Sequence, residues 1–215
     1  MIKTKNKINK KDLIIKHFDK LAAVRESWIS KSNGFYSEDI KIMKEYIPEG
    51  SKILEVGCGT GHLIAALKPS VGVGIDISAG MIKEGKKKYP NIEFIEADIE
   101  EKVSLSSIND TFDFIIISDT IGYIGDIETT FNNFHKFSNA DTRFIVAYYS
   151  PFWEPLLNMA AKFKFKMPEL QKVLLTENDI SSLLHSSGFE TVKKQKKILF
   201  PFKAFGLGRF VNRFI

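Results

Sequence analysis

Residues 53–62 read Ile53-Leu54-Glu55-Val56-Gly57-Cys58-Gly59-Thr60-Gly61-His62. A short apolar strand runs directly into three alternate glycines and then into helix-forming residues. Glycine adopts positive φ without steric cost and lets a ligand lie against the backbone. The amides that open the following helix favour an anionic group such as a carboxylate. A nicotinamide-dinucleotide loop needs Gly-x-Gly-x-x-Gly, and counting from Gly57 puts His62 where the last glycine belongs. The triphosphate-binding loop is excluded because no Gly-Lys-Ser/Thr follows. Glu55 is a poor neighbour for a pyrophosphate and suits a ligand that carries an ammonium group.

Working outward, short apolar runs rich in β-branched residues recur at 52–56, 71–75, 92–95, 112–118 and 142–149. Helix-like stretches at 61–68, 78–88 and 126–137 separate them. Near-continuous apolar strands alternating with helices predict a parallel sheet covered on both faces, a doubly wound α/β fold. Ligands of such folds gather at the carboxyl ends of the strands, near the reversal of strand order. Ahead of this unit, Ile14, Phe18, Leu21 and Trp28 recur at helical spacing, so one amphipathic helix is expected over 12–31. Asn33-Gly34 should end it, and Ser37 should cap a second helix reaching about Tyr46. Beyond the fifth strand, 151–167 reads as an aromatic-rich helix. Thr176 and Asp179 form a capping box, and 189–199 reads as a further strand.

Acids stand at the ends of successive strands. Asp76 closes Val71-Gly72-Val73-Gly74-Ile75-Asp76, Asp98 follows Phe94-Ile95-Glu96-Ala97, and Asp119 follows Phe112–Ser118. A carboxylate accepts several hydrogen bonds at once, which suits paired ribose hydroxyls. With Glu55-x-Gly57-x-Gly59-x-Gly61, this order resembles the class I S-adenosylmethionine-dependent methyltransferases over about residues 35–199. The resemblance implies that Gly57, Cys58, Gly59 and Gly61 wrap the methionine part of S-adenosylmethionine. It implies that Asp76 holds the ribose, that Asp98 meets the adenine amino group, and that Ile77 and Ile99 sandwich the ring. Tyr36 would approach the cofactor carboxylate, and Ser118 and Asp119 would face the methyl group.

Many small-molecule relatives carry a histidine about five residues beyond the fourth strand, where this chain has Tyr123. Asp119 and Tyr123 are therefore the candidate catalytic residues, Tyr123 assisting proton transfer if its pKa is lowered, or packing over the cofactor. Tyr148, Tyr149 and Trp153 are a candidate aromatic wall for a sugar or lipid, or core. Arg25 and Trp28 are candidates for a lid. His17, His62, His135 and His185 show no ligand spacing, so no metal site is expected.

The motifs Arg25-x-x-Trp28, Gly34-Phe35-Tyr36, Ser118-Asp119-x-x-Gly122-Tyr123 and Tyr148-Tyr149-x-x-x-Trp153-Glu154-Pro155 resemble a narrower bacterial group. Its methyltransferase domains accompany membrane-linked glycosyltransferases that use polyprenyl-phosphate sugars. This implies O-methylation of a small, glycolipid or sugar acceptor, with a glycosyltransferase as partner. A non-catalytic docking module and a nicotinamide-dependent enzyme are the alternatives. The family sheet has seven strands, and with only 189–199 following the fifth helix-strand unit, the last strand is expected to be missing or altered.

The 215 residues are 44% hydrophobic and 27% charged, with a net charge of +5, an ordinary globular composition. The expected organisation is an N-terminal helical cap over 1–45, the cofactor-binding domain over 46–199 and a basic, aromatic tail over 200–215. The single cysteine, Cys58, allows no intrachain disulfide and suits a reducing compartment. With no apolar run of membrane-spanning length and no leader-like start, a cytoplasmic protein is expected. The tail is a candidate for peripheral contact at the inner membrane face, or for packing on the core. Basic stretches lack interleaved aromatics, so no nucleic-acid partner is inferred.

Overall fold

The computed structural model describes residues 9–148, 154–163, 167–170 and 172–196. Three helices precede the sheet: α1 (Lys10–Ala22), α2 (Arg25–Lys31) and α3 (Asn33–Lys44). The α/β unit follows as β1 (Lys52–Val56), α4 (His62–Ala66), β2 (Val71–Asp76), α5 (Ala79–Lys88), β3 (Glu93–Glu96), β4 (Phe114–Ser118), α6 (Ile127–Phe134) and β5 (Arg143–Ala147). Then come α7 (Glu154–Lys162) and α8 (Glu177–Ser186). All strand pairings are parallel, in the order β3-β2-β1-β4-β5. The order reverses between β1 and β4, and their carboxyl ends frame a crevice.

The strands are buried on both faces because their residues alternate between two apolar clusters. On β1, Leu54 and Val56 join Ile115, Ile117, Phe131, Phe134 and Ile180. Ile53 joins Ile64, Ile82, Phe94, Phe114 and Ile116 on the other face. Each fully buried side chain of this size contributes roughly 1.5–3 kcal/mol. The expected α/β architecture is therefore present as a five-stranded sheet.

The N-terminal region differs from its expectation. The helix expected over 12–31 is two helices, parted after Ala22, and Asn33-Gly34 opens α3 instead of ending the preceding helix. Ser37 lies inside α3, its hydroxyl donating to Gly34 O at 3.1 Å, and caps nothing. The two helices join at Ser32 (φ −101°, ψ 25°), so a turn signal marked a junction between helices. The later capping box does form, with Thr176 and Asp179 satisfying one another's backbone groups.

No sixth strand forms among the described residues, as 189–196 have no regular structure. Phe189 packs between Phe144 and His135, at 4.3 and 4.6 Å between ring centres, and Lys193 and Gln195 contact Tyr46. Val192 is 86% exposed, and Lys194 and Lys196 turn back to Glu177. A strand here would have too little apolar surface to bury on the sheet edge. Tyr149, Trp153, residues 197–199 and the 200–215 tail lie outside the described residues.

Candidate functional site

The crevice is a cavity of about 460 Å³. Its floor is made by strand ends, Val56-Gly57, Ile75-Asp76-Ile77 and Ser118-Asp119-Thr120, and its roof by α1, α2 and the start of α3. Helix α1 of the roof is pinned at two places. Asp19 on α1 accepts from Ser78 Oγ (2.6 Å) and the Gly80 N–H (2.9 Å) at the start of α5. Lys11 contacts the Asp98 carboxylate and lies 3.8 Å from Glu100.

The glycine loop divides its work. At Gly59 (φ +54°) an added Cβ would meet no atom nearer than 3.9 Å, so the space above it belongs to the cavity. At Gly61 (φ +77°) an added Cβ would lie 2.4 Å from the Phe94 ring. One glycine opens the site and the other admits an aromatic ring that supports it.

Asp76 carries the loop's geometry. Its Oδ2 accepts from the Gly59 N–H at 2.8 Å and its Oδ1 from the Ser78 N–H at 2.9 Å. Burial raises its pKa, and the two backbone N–H bonds oppose the rise. Each oxygen retains capacity to accept a further donor, which fits a ribose diol. Ile77, Asp98 and Ile99 also line the cavity, and Asp98 Oδ1 accepts from the Glu100 N–H at 3.0 Å. An open backbone cradle beside a fixed carboxylate, with an acid and two isoleucines further on, fits an adenosyl cofactor.

Three residues expected at the cofactor are not on the cavity wall. Glu55 is 4% exposed and its Oε2 accepts from the Ile64 N–H of α4 at 3.0 Å. The strand's alternation turns it to the α4 face, beneath the loop, and not toward a ligand's ammonium group. Burial pushes its pKa up to about 8, with Asp39 and Asp76 adding to the rise. Cys58 is buried in the same apolar cluster, and burial raises its thiol pKa well above the usual. Gly61 serves the packing of Phe94.

Ser118, Asp119 and Tyr123 meet at the other end of the cavity. Asp119 has φ +55°, a left-handed conformation that costs a non-glycine residue on the order of 1 kcal/mol or more. Its backbone N–H holds it to Ala147 O at 2.9 Å. Burial pushes the Tyr123 phenol far above its ordinary range, helped by Glu169 and Asp119, so the lowered pKa that proton transfer requires is not found. Tyr123 instead packs edge-on to Phe18 at 5.3 Å, beneath the Lys172 ammonium. Tyr36 lines the cavity, with the Arg25 guanidinium 5.6 Å from its ring centre.

The cavity wall includes no histidine, and the described residues contain no group of three His, Cys, Asp or Glu able to hold a metal. No helix among them is long and apolar enough to cross a membrane. Tyr148 packs on the core formed with α6 and α8, away from the cavity. Lys11, Met167, Glu169 and Lys172 on the wall were not anticipated. They arrive from remote segments and carry no local signal.

A family model described as a methyltransferase domain matches residues 28–194. A demethylmenaquinone methyltransferase of Staphylococcus saprophyticus is 26% identical over 164 residues, covering 73% of this chain and 70% of that protein. A ubiquinone/menaquinone biosynthesis C-methyltransferase of Campylobacter jejuni is 41% identical over 66 residues, 26% of this chain and 28% of that protein. Among solved structures, an S-adenosylmethionine-dependent methyltransferase of Thermotoga maritima aligns with a TM-score of 0.67 at 19% identity. That alignment covers 83% of this chain and 82% of that one, and at this identity it speaks to the fold.

Proposed function

The chain belongs to the class I S-adenosylmethionine-dependent methyltransferases, and from that premise we propose that its acceptor is a small planar phenol or hydroquinone. The observation that carries this reading is the aromatic lining of the cavity. Phe18, Trp28, Phe35, Tyr36 and Tyr123 line the cavity, Phe18 edge-on to Tyr123 and Phe35 edge-on to Tyr36, each at 5.3 Å, with carboxylates at Asp119 and Glu169. Flat rings offer offset or edge-on packing to an aromatic guest, worth about 0.5–1.5 kcal/mol per pair beyond buried area. One curated relative is named for a quinone acceptor, demethylmenaquinone, and another for C-methylation in ubiquinone and menaquinone biosynthesis, which supports an acceptor built on a quinone-type ring.

When bound, the cofactor supplies a sulfonium methyl that leaves as the S–CH3 electron pair returns to sulfur. The protein positions the acceptor in line and takes its proton. Asp119 is the group assigned to that proton. It lies on the cavity wall just past the end of β4, and no histidine on the wall competes for the role. The acceptor's freed electron pair, on oxygen or on the adjoining ring carbon, forms the new bond. Asp76, Asp98, Ile77, Ile99 and the Gly57–Gly61 loop serve the cofactor in this reading, Glu55, Cys58 and Gly61 from behind the wall.

The test pairs labelled methyl donor with hydroquinones, catechols, a nucleotide sugar and a polyprenyl-phosphate sugar. Label should enter the aromatic acceptors. Asp119→Asn should lower kcat by about 10²–10⁴ while the affinity for S-adenosylhomocysteine stays within about twofold. Label confined to the sugar acceptors would favour a glycolipid O-methyltransferase, and no transfer to any acceptor would favour a docking module.

A further inference from the structure

The cofactor's amino-acid end brings a carboxylate into a cavity walled by Asp76, Asp98, Glu100, Asp119 and Glu169. Something cationic must meet it, since burying an unpaired charge is costly. Three of the amides in and after the loop are already engaged. The Gly59 N–H is engaged by Asp76, the Gly61 N–H by Cys58 O and the Ile64 N–H by Glu55. The helix they open, α4, has five residues.

We infer that Arg25 is the carboxylate-binding residue for the methionine end of the cofactor. This inference rests on the cofactor assignment and is independent of the acceptor. The Arg25 Nε lies 3.9 Å from the position of a Cβ on Gly59, so the guanidinium faces the open part of the loop across the cavity. Its Nη1 donates to the Met167 sulfur at 3.5 Å, a weak acceptor, and its plane neighbours the Tyr36 ring. Among the described residues no carboxylate oxygen comes within ion-pair distance of it, whereas Lys11 is committed to Asp98 and Lys172 to Glu169. A planar fork with an open face matches a carboxylate in two-point contact.

The neighbouring residue fixes this placement. Glu26 accepts from Thr60 Oγ1 in the glycine loop at 2.9 Å and contacts Lys88 on α5. Helix α2 is thereby tied to the loop and the end of α5, and Arg25 at its first position is held over Gly59. Sequence marked Arg25 as part of a lid; the geometry gives the lid a binding group.

The test compares two ligands on the whole chain: S-adenosylhomocysteine, which carries the amino acid, and 5′-methylthioadenosine, which lacks it. Arg25→Gln should weaken the first by about 10- to 100-fold, the scale of lost hydrogen bonds between charged partners. The second should change by less than about twofold, which also reports that the variant is folded. Arg25→Lys should fall between, because it keeps the charge and loses the fork. Equal weakening of both ligands, or of neither, would overturn the assignment. Unchanged binding of both with a raised acceptor KM would move Arg25 to the acceptor. Wild-type protein that binds neither ligand would overturn the cofactor site itself, and Arg25's role with it.

Discussion

At the scale of single residues, the acids of this chain sort by what surrounds them. Asp76 keeps room for a ligand, while Glu55, two positions from the loop's first glycine, is sealed beneath it. Glu55 has a consequence for pH. Its pKa is near 8 in the folded chain and about 4.3 in the unfolded one, so the native state holds more protons between those values. Stability therefore falls as pH climbs through that window. Between pH 5.5 and 8 the loss should be on the order of 3 kcal/mol, at about 1.4 kcal/mol per unit. Glu55→Gln keeps an oxygen for the Ile64 N–H and should flatten the decline; denaturant unfolding at the two pH values measures it, and parallel curves for the two proteins would contradict it. The identities of Asp76, Asp98 and Asp119 were legible because each follows a strand of known period. That Glu55 turns away depends on the pleat and on α4, and that Tyr123 is desolvated depends on Glu169 and its neighbours, which no local pattern reveals.

Among the elements, the parallel strands and their helices were legible because the apolar runs are buried on both faces. The three-helix roof was legible only as amphipathic spacing. Its junctions follow from how α1 and α3 reach the sheet, with Met43 and Ile47 entering the core beside Ile53. The loop-to-α4 junction gives a direct test. Gly61→Ala would place a methyl 2.4 Å from Phe94 and force a left-handed alanine, costing on the order of 2–4 kcal/mol. Calorimetry should show a fall in Tm. In the Gly61→Ala/Phe94→Leu double variant part of the loss should return, as expected of residues in contact. Additive losses would place the strain elsewhere.

Considered as a whole, the molecule binds its cofactor between a sheet and a roof, so binding and stability are linked. Saturation with S-adenosylhomocysteine at about 100 times its Kd should add about 2.7 kcal/mol and raise Tm by about 5–10 °C. Because Asp19 and Lys11 fasten α1 across the site, slowed hydrogen exchange should extend to α1 as well as the glycine loop. Protection confined to the loop would mean that the roof moves independently of the ligand. The class of reaction was readable through the family resemblance that the glycine loop and the strand-end acids carry together. The aromatic lining of the cavity was not, since Phe18, Trp28, Phe35 and Tyr123 come from four separate stretches and meet only in the fold.

The ring of Phe94 occupies the space that side chains on both Gly61 and Gly85 would take, and lies 3.3 Å from a Cβ placed on Gly74. The loop, the second strand, the third strand and the helix between them are thus keyed to one bulky group. The familiar glycine signature is not a portable cassette. Transplanted to another scaffold without a phenylalanine on the third strand and a glycine on the intervening helix, it would leave a void or a collision. Across descendants of this gene, those four positions should change together or not at all.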